Sequence, residues 1–227
     1  IGKLCRERGM LFHTDAVQAV GNIPIDVQDM NIDLLSMSSH KFYGPKGVGV
    51  LYIRKGTKID SLIHGGSQER GKRAGTENIA GIVGMSKALK IAAQNRDDEN
   101  RRLIHLRDRL ISRILKIPRS RLNGHRTNRL PGNVNVTFDF VDGEILVMTL
   151  DSMGIYASTG SACSAGAVEP SHVLTAIGLP GSSAKSSIRL TLGARTTVDD
   201  VDYVGDVLEN TVSNLRKNNE KWKEEHR

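Results

Sequence analysis

Short apolar runs that alternate with helical periodicity constrain this chain more than any other feature of its sequence. Residues 11–14, 33–38 (DLLSMS) and 48–54 (VGVLYIR) each have the length of a strand, the first reading as a buried strand that ends at Asp15. Residues 78–115 then carry helical spacing in Ile79, Ile82, Val83, Leu89 and Ile91, continued by Leu103, Leu106, Leu110 and Ile114. After Pro118 the alternation resumes. NVNVTF (133–138) alternates as a half-buried strand, GEILVMTLDSMG (143–154) reads as a helix closed by a glycine, and SSIRLTLG (186–193) is a further strand. Helices are predicted from Ser171 and from Thr197 to about Leu215, the latter opened by a threonine with Asp199 and Asp200 in its first turn. Residues 57–76 turn to Gly, Ser, Arg and Lys and read as loop, and the tail KNNEKWKEEHR is expected to fray. Strands alternating with helices predict an α/β fold, and the polar insert AQNRDDENRR places a domain boundary between residues 1–99 and 100–227.

Composition narrows the function classes. The net charge of +7 suggests nucleic acid as a partner, but the basic residues are dispersed among acids and aromatics are only 4%, so direct nucleic-acid binding is not expected. No apolar run approaches a membrane span. Cys5 and Cys163 have no metal-ligand spacing, and neither do His13, His64, His105, His125 and His172, so no metal site is expected. Two cysteines in 227 residues suit a reducing compartment, which predicts a cytoplasmic or equivalent location. The opening IGKLCRERGM has neither Met nor capping residue and reads as the second half of an amphipathic helix, with Ile1, Leu4 and Cys5 on one face. The expectation is that an N-terminal portion is missing from the sequence.

Four places put reactive residues at element ends, where binding groups are commonly presented. In HTDAVQ, Asp15 closes a strand and Gln18 follows within one turn; a helix cap is the alternative reading. In SSHKFYGPKG, Ser38, Ser39 and His40 offer hydroxyl and imidazole donors beside Lys41. A lysine in a partly desolvated, cation-rich pocket has a lowered pKa and serves as an imine-forming nucleophile; a surface lysine is the alternative, and Lys46 and Lys55 are read that way. In HGGSQERGKRAGTEN, Arg73 and Thr76 sit where backbone N–H groups and a following helix could meet a phosphate, against a solvated basic loop. In GSACSAG, Cys163 lies among small residues that leave its thiol accessible. Arg189, the one charge in SSIRLTLG, needs an anionic partner, either a substrate carboxylate or a structural acid.

Taken in order and spacing, HTDAVQ, SSHKFYGPKG, GGSQERGKRAGTEN, GSACSAGAVEPSHVL and SSIRLTLG resemble the cysteine desulfurases of the NifS/IscS group, class V members of the fold-type I pyridoxal-phosphate enzymes. The resemblance implies the C-terminal part of the large cofactor-binding domain followed by the small α/β domain, which carries the cysteine loop. It implies that Lys41 holds pyridoxal 5'-phosphate as a Schiff base and that Asp15 pairs with the pyridinium nitrogen. Gln18 would meet the phenolic oxygen, Ser38 and His40 the phosphate, and Thr76 the phosphate bound by the other subunit of a homodimer. Arg189 would clamp the carboxylate of L-cysteine. Cys163 would take the sulfur as a persulfide and pass it to an iron–sulfur scaffold or a tRNA-thiolation acceptor, leaving L-alanine. The family's ring-stacking histidine, a phosphate-binding turn and an asparagine beside the ring oxygen have no counterpart here, so weak or no cofactor binding by this chain alone is expected. Alternative readings are a selenocysteine lyase, another class V aminotransferase-like enzyme, or an inactive sulfur-relay partner without cofactor chemistry of its own.

Overall fold

The computed structural model describes residues 1–160 and 170–225 of the chain. The chain divides into two compact units, Ile1–Asp98 and Glu99–Arg227. Among the described residues no helix is long and apolar enough to cross a membrane.

The first unit opens with helix α1 (Gly2–Glu7), strand β1 (His13–Asp15) and strand β2 (Leu34–Ser38). A one-turn 3-10 helix (Ser39–Phe42) leads through a turn to strand β3 (Gly49–Ile53), and helix α2 (Gln68–Gly71) precedes the long helix α3 (Ile79–Ile114), which continues into the second unit. The sheet has the order β1-β2-β3, with β1 parallel to β2 and β3 antiparallel to it. A central strand is covered on both flanks, which is why β2 holds the buried Leu35. Around it gather Ala16, Val20, Ile32, Phe42 and Met85, the last presented by the first turns of α3. Arg54 ties the chain ahead of β2 to the end of β3. Its guanidinium donates to the carbonyls of Ile32 (3.1 Å) and Val27 (2.5 Å) and pairs with Asp33 at 3.2 Å.

Three expectations change here. Residues 11–14 are not a buried strand: β1 is an edge strand with exposed residues at both ends, and Leu11 is 64% exposed. The apolar side of α1 is not its buried side, since Leu4 is half exposed and Gly2 is the buried residue. The loop 57–76 contains α2, whose Glu69 and Arg70 have left-handed backbone (φ 49° and 58°), a conformation that no helical pattern in the sequence announces.

The second unit pairs strands β4 (Ser120–Leu122), β5 (Asn133–Phe138) and, after helices α4 (Gly143–Ser152), α5 (His172–Ala176) and α6 (Gly181–Lys185), strand β6 (Ser187–Thr191). Helices α7 (Val198–Lys217) and α8 (Glu220–Glu225) complete it. The sheet is antiparallel, in the order β4-β5-β6. Alternation decides its two faces. Val134, Val136, Phe138 and Ile188 turn to a core shared with Leu106, Ile111 and Ile114 of α3, Leu146 and Leu150 of α4, and Leu208 and Val212 of α7. Asn135, Thr137, Ser187 and Arg189 occupy the other face, since each lies one residue off the apolar set.

Caps and ion pairs fix the helices. Asp142 accepts from the N–H groups of Glu144 (2.9 Å) and Ile145 (3.1 Å) at the start of α4. Thr197 and Asp200 form a reciprocal capping box on α7. Arg109 of α3 grips Asp202 of α7 through two 2.7 Å hydrogen bonds, and these hold the Asp202 carboxyl below the usual carboxylate range. Arg113 bonds to Asp202 at 3.2 Å and also to Asp206. The tail does not simply fray: α8 sets Trp222 edge-on to Phe140 and beneath the guanidinium of Arg216. β4 and α6 were not expected, being three and five residues long and too short for a period to register.

Candidate active site

Parallel pairing of β1 and β2 brings their carboxyl ends to one edge of the first unit, the place where α/β sheets commonly bind ligands. Asp15 is the last residue of β1 and Ser38 the last of β2. The Asp15 carboxylate is exposed, and its Oδ1 accepts from the N–H of Val17 at 2.9 Å, a local turn that orients the group and leaves the second oxygen available. This is the cap-like bond foreseen as the alternative reading of Asp15. Gln18 is exposed in the same turn, its carbonyl accepting from Asn22 at 3.0 Å. Ser38 Oγ lies 2.9 Å from Nδ1 of His40.

Lys41 owes its exposure to the 3-10 turn that carries it. Residues three apart share a face in such a turn. Ser39 and Phe42 are the buried pair, so His40 and Lys41 face outward. The turn closes through Tyr43 in left-handed backbone (φ 65°), and the N–H of Gly44 donates to the Ser39 carbonyl at 3.0 Å. The Ser39 hydroxyl is wholly buried and has no partner among the described residues. A Cβ at Gly44 would collide with it. Gly44→Ala is therefore expected to destabilise the chain by about 1–3 kcal/mol through overpacking. Ser39→Ala removes an unpaired hydroxyl whose burial costs about 1–3 kcal/mol, so it should leave stability unchanged or raise it. Urea denaturation of the two variants reads both signs, and a large loss in Ser39→Ala would contradict this packing.

The remaining sequence-predicted residues lie elsewhere. Thr76 is exposed in the loop ahead of α3, two residues before Asn78, whose side chain accepts from Gly81 N–H at 3.0 Å. Arg73, in the same loop, donates to the carbonyl of Ala74 at 2.6 Å. Arg189 belongs to the second unit. Its backbone pairs with Ser158 in a two-bond bridge (2.6 and 3.1 Å), while its guanidinium has no partner among the described residues. The anion its position calls for is not supplied by those residues. Cys163 lies outside the described residues. The structure thus gathers Asp15, Gln18, Ser38, His40 and Lys41 at one strand edge and holds Thr76 and Arg189 on other elements. No group of His, Cys, Asp and Glu among the described residues could hold a metal.

The donor set at the strand edge has a definite chemistry. An exposed amine suits a carbonyl, a carboxylate suits a protonated ring nitrogen, and a hydroxyl beside an imidazole suits a phosphate. These residues fit a phosphorylated aromatic aldehyde. Sequence reasoning missed the polar cluster of Asn123, Asn135, Thr137 and Ser187 in the second unit, although the alternation in NVNVTF was the signal that would have found it.

The aminotransferase class-V family profile matches residues 1–204. A cysteine desulfurase IscS of Methanosarcina thermophila is 57% identical over 216 residues, which cover 95% of this chain and 54% of the relative. A solved NifS-like protein superposes with a TM-score of 0.82 at 37% identity, over 91% of this chain and 53% of its own. The structure of SspA in complex with cysteine gives 0.63 at 37% identity, over 85% and 53%. The chain spans about half the length of the relatives it matches.

Proposed function

Because the chain belongs to the class V aminotransferase family, with relatives named cysteine desulfurase, we propose that it carries the lysine, cofactor-contacting residues and sulfur-accepting cysteine of an L-cysteine desulfurase. The observation that carries this reading is the gathering of Asp15, Gln18, Ser38, His40 and Lys41 at the carboxyl ends of β1 and β2. Pyridoxal 5'-phosphate, when bound, supplies an electron sink for the carbanion left when an amino acid loses its α-proton. Lys41 would hold the cofactor, and its amine would be placed to carry the substrate's α-proton. Asp15 would face the ring nitrogen, Gln18 the phenolic oxygen, and Ser38 and His40 the phosphate. Thr76 extends that phosphate site across a homodimer. Arg189 takes the carboxylate of L-cysteine, consistent with a guanidinium that has no partner among the described residues. The Cys163 thiolate attacks the substrate sulfur; the Cβ–S bond breaks, the carbon takes a proton to become alanine, and the sulfur remains as a persulfide.

On this reading residues 1–99 belong to the cofactor domain and residues 100–227 to the small domain with the cysteine loop. The persulfide is handed to an iron–sulfur scaffold or another sulfur acceptor, and the paucity of cysteine suits a cytoplasmic site. The test is to supply pyridoxal phosphate and L-cysteine, then measure alanine and protein-bound sulfane sulfur together. At saturating pyridoxal phosphate, any alanine released in the first turnover should be matched by an equal amount of sulfane sulfur, and Cys163→Ala should remove both. Alanine release that is indifferent to Cys163→Ala, or that occurs from L-selenocysteine alone, would overturn the assignment.

A further inference from the structure

We propose that Asn135 is a second carboxylate-binding residue, placed beside Arg189 on the polar face of the β4-β5-β6 sheet. This rests on the reading of Arg189 as the residue that receives the substrate carboxylate. The backbone fixes the neighbourhood. Arg189 spends both its N–H and its C=O on Ser158 (2.6 and 3.1 Å), so its pairing with Asn135 on the opposite side is of the non-hydrogen-bonded kind. In such antiparallel pairs the Cα atoms are about 4.5 Å apart and the side chains approach most closely. The next such pair, Thr137 and Ser187, behaves accordingly, with its hydroxyls 2.7 Å apart.

A chain of hydrogen bonds then sets which end of the Asn135 amide faces out. Ser187 Oγ donates to the Ser183 carbonyl at 2.8 Å, so it accepts from Thr137. Thr137 Oγ meets both ends of the Asn123 amide, 2.9 Å from Nδ2 and 3.0 Å from Oδ1. The same Nδ2 donates to Asn135 Oδ1 at 2.7 Å. Asn135 therefore turns its oxygen toward Asn123 and leaves its NH2 group free. Neither that NH2 nor the Arg189 guanidinium meets an acceptor among the described residues. Strands β4, β5 and β6 contain no Asp or Glu. Two half-exposed donors side by side, on a face whose strands carry no acid, form a site for a carboxylate. The amide adds a directional hydrogen bond to the fork of the arginine.

The test is an NMR titration of the isotope-labelled chain with sodium propionate, with neutral propionamide as control. The Asn135 side-chain NH2 and the Arg189 Nε–H signals are expected to shift along one saturation curve for propionate and to stay still with propionamide. Asn135→Ala should weaken propionate binding by about tenfold, the value of one hydrogen bond to a charged group. Asn135→Asp should abolish binding and raise the unfolding temperature, because the new carboxylate pairs with Arg189; a merely structural asparagine would give the opposite change in stability. Propionate affinity unaltered by Asn135→Ala, an unmoved Asn135 NH2, or no saturable shift at either residue would each overturn the proposal. Propionate has no amine or sulfur and no cofactor is added. Failure of the desulfurase reading would therefore appear in alanine release and leave this titration interpretable.

Discussion

Lys41→Ala is expected to eliminate the stable adduct that borohydride reduction should trap between this chain and pyridoxal phosphate. Peptide mapping of the parent chain should find the added mass on the peptide containing Lys41. On the proposed desulfurase reading, any turnover of L-cysteine should fall by at least about 10²- to 10⁴-fold, the usual contribution of a positioned acid–base group alone. The argument is positional. Lys41 sits on the outward face of a turn whose other face is pinned by Ser39 and Phe42, one residue from His40 and three from the end of β2. Lys46 and Lys55 are equally exposed but lie among turns that bring no carboxylate, hydroxyl and imidazole together. Lys41→Arg should not restore the adduct, since a guanidinium stays protonated and is no nucleophile. Mass spread evenly over Lys46 and Lys55 would remove Lys41 from its assigned role.

Arg216→Ala should cause a large loss of stability in the second unit. The side chain is 3% exposed, and its guanidinium donates to the carbonyls of Pro118 (2.6 Å), Arg119 (3.1 Å) and Asp139 (2.9 Å). Burial lowers the pKa of the group from the usual arginine value, and the three carbonyls offset that cost by hydrogen bonding. The guanidinium lies over the Trp222 ring, 4.8 Å from its carbon to the ring centroid. Truncation leaves three acceptors facing a void and releases α8, so a cost of about 3–5 kcal/mol is expected, as for breaking other buried charged contacts. Arg216→Lys should recover only part of this, because a single ammonium cannot reach three divergent carbonyls. Trp222 is the chain's one tryptophan, so its fluorescence during urea denaturation reports on this cluster directly. An unchanged midpoint in Arg216→Ala would mean that the carbonyls find other donors.

The strands and helices that dominate each unit were legible because their periods are long enough to show. DLLSMS became β2, NVNVTF became β5, and the run from Ile79 became a single helix of 36 residues through the polar insert. Thr197 opened α7 as its capping pattern promised. At the proposed site, the residue types in HTDAVQ and SSHKFYGPKG offered Asp15, Gln18, Ser38, His40 and Lys41 as candidates. What pointed to their chemistry was their occurrence in one order with three further segments, since each alone has an ordinary explanation as a cap or a surface charge.

Other features depended on partners distant in sequence. β1 is exposed because it lies at the edge of its sheet, a fact of strand order that the apolar run around it does not contain. Which residues of SSHKF face inward was decided by a 3-10 turn in place of a continued strand, with Ser39 and Phe42 packed beneath. Trp222 in a charged tail found Phe140 and Arg216 some 80 and 6 residues away. Asn135 and Arg189 became neighbours through a register that joins residues 54 positions apart. The sequence by itself determined the residue types, the periods and the local caps, because these act over one or two turns of chain. Only the tertiary structure decided exposure, register and the free end of an amide, because those depend on which distant surface arrives to complete each hydrogen bond or cover each apolar face.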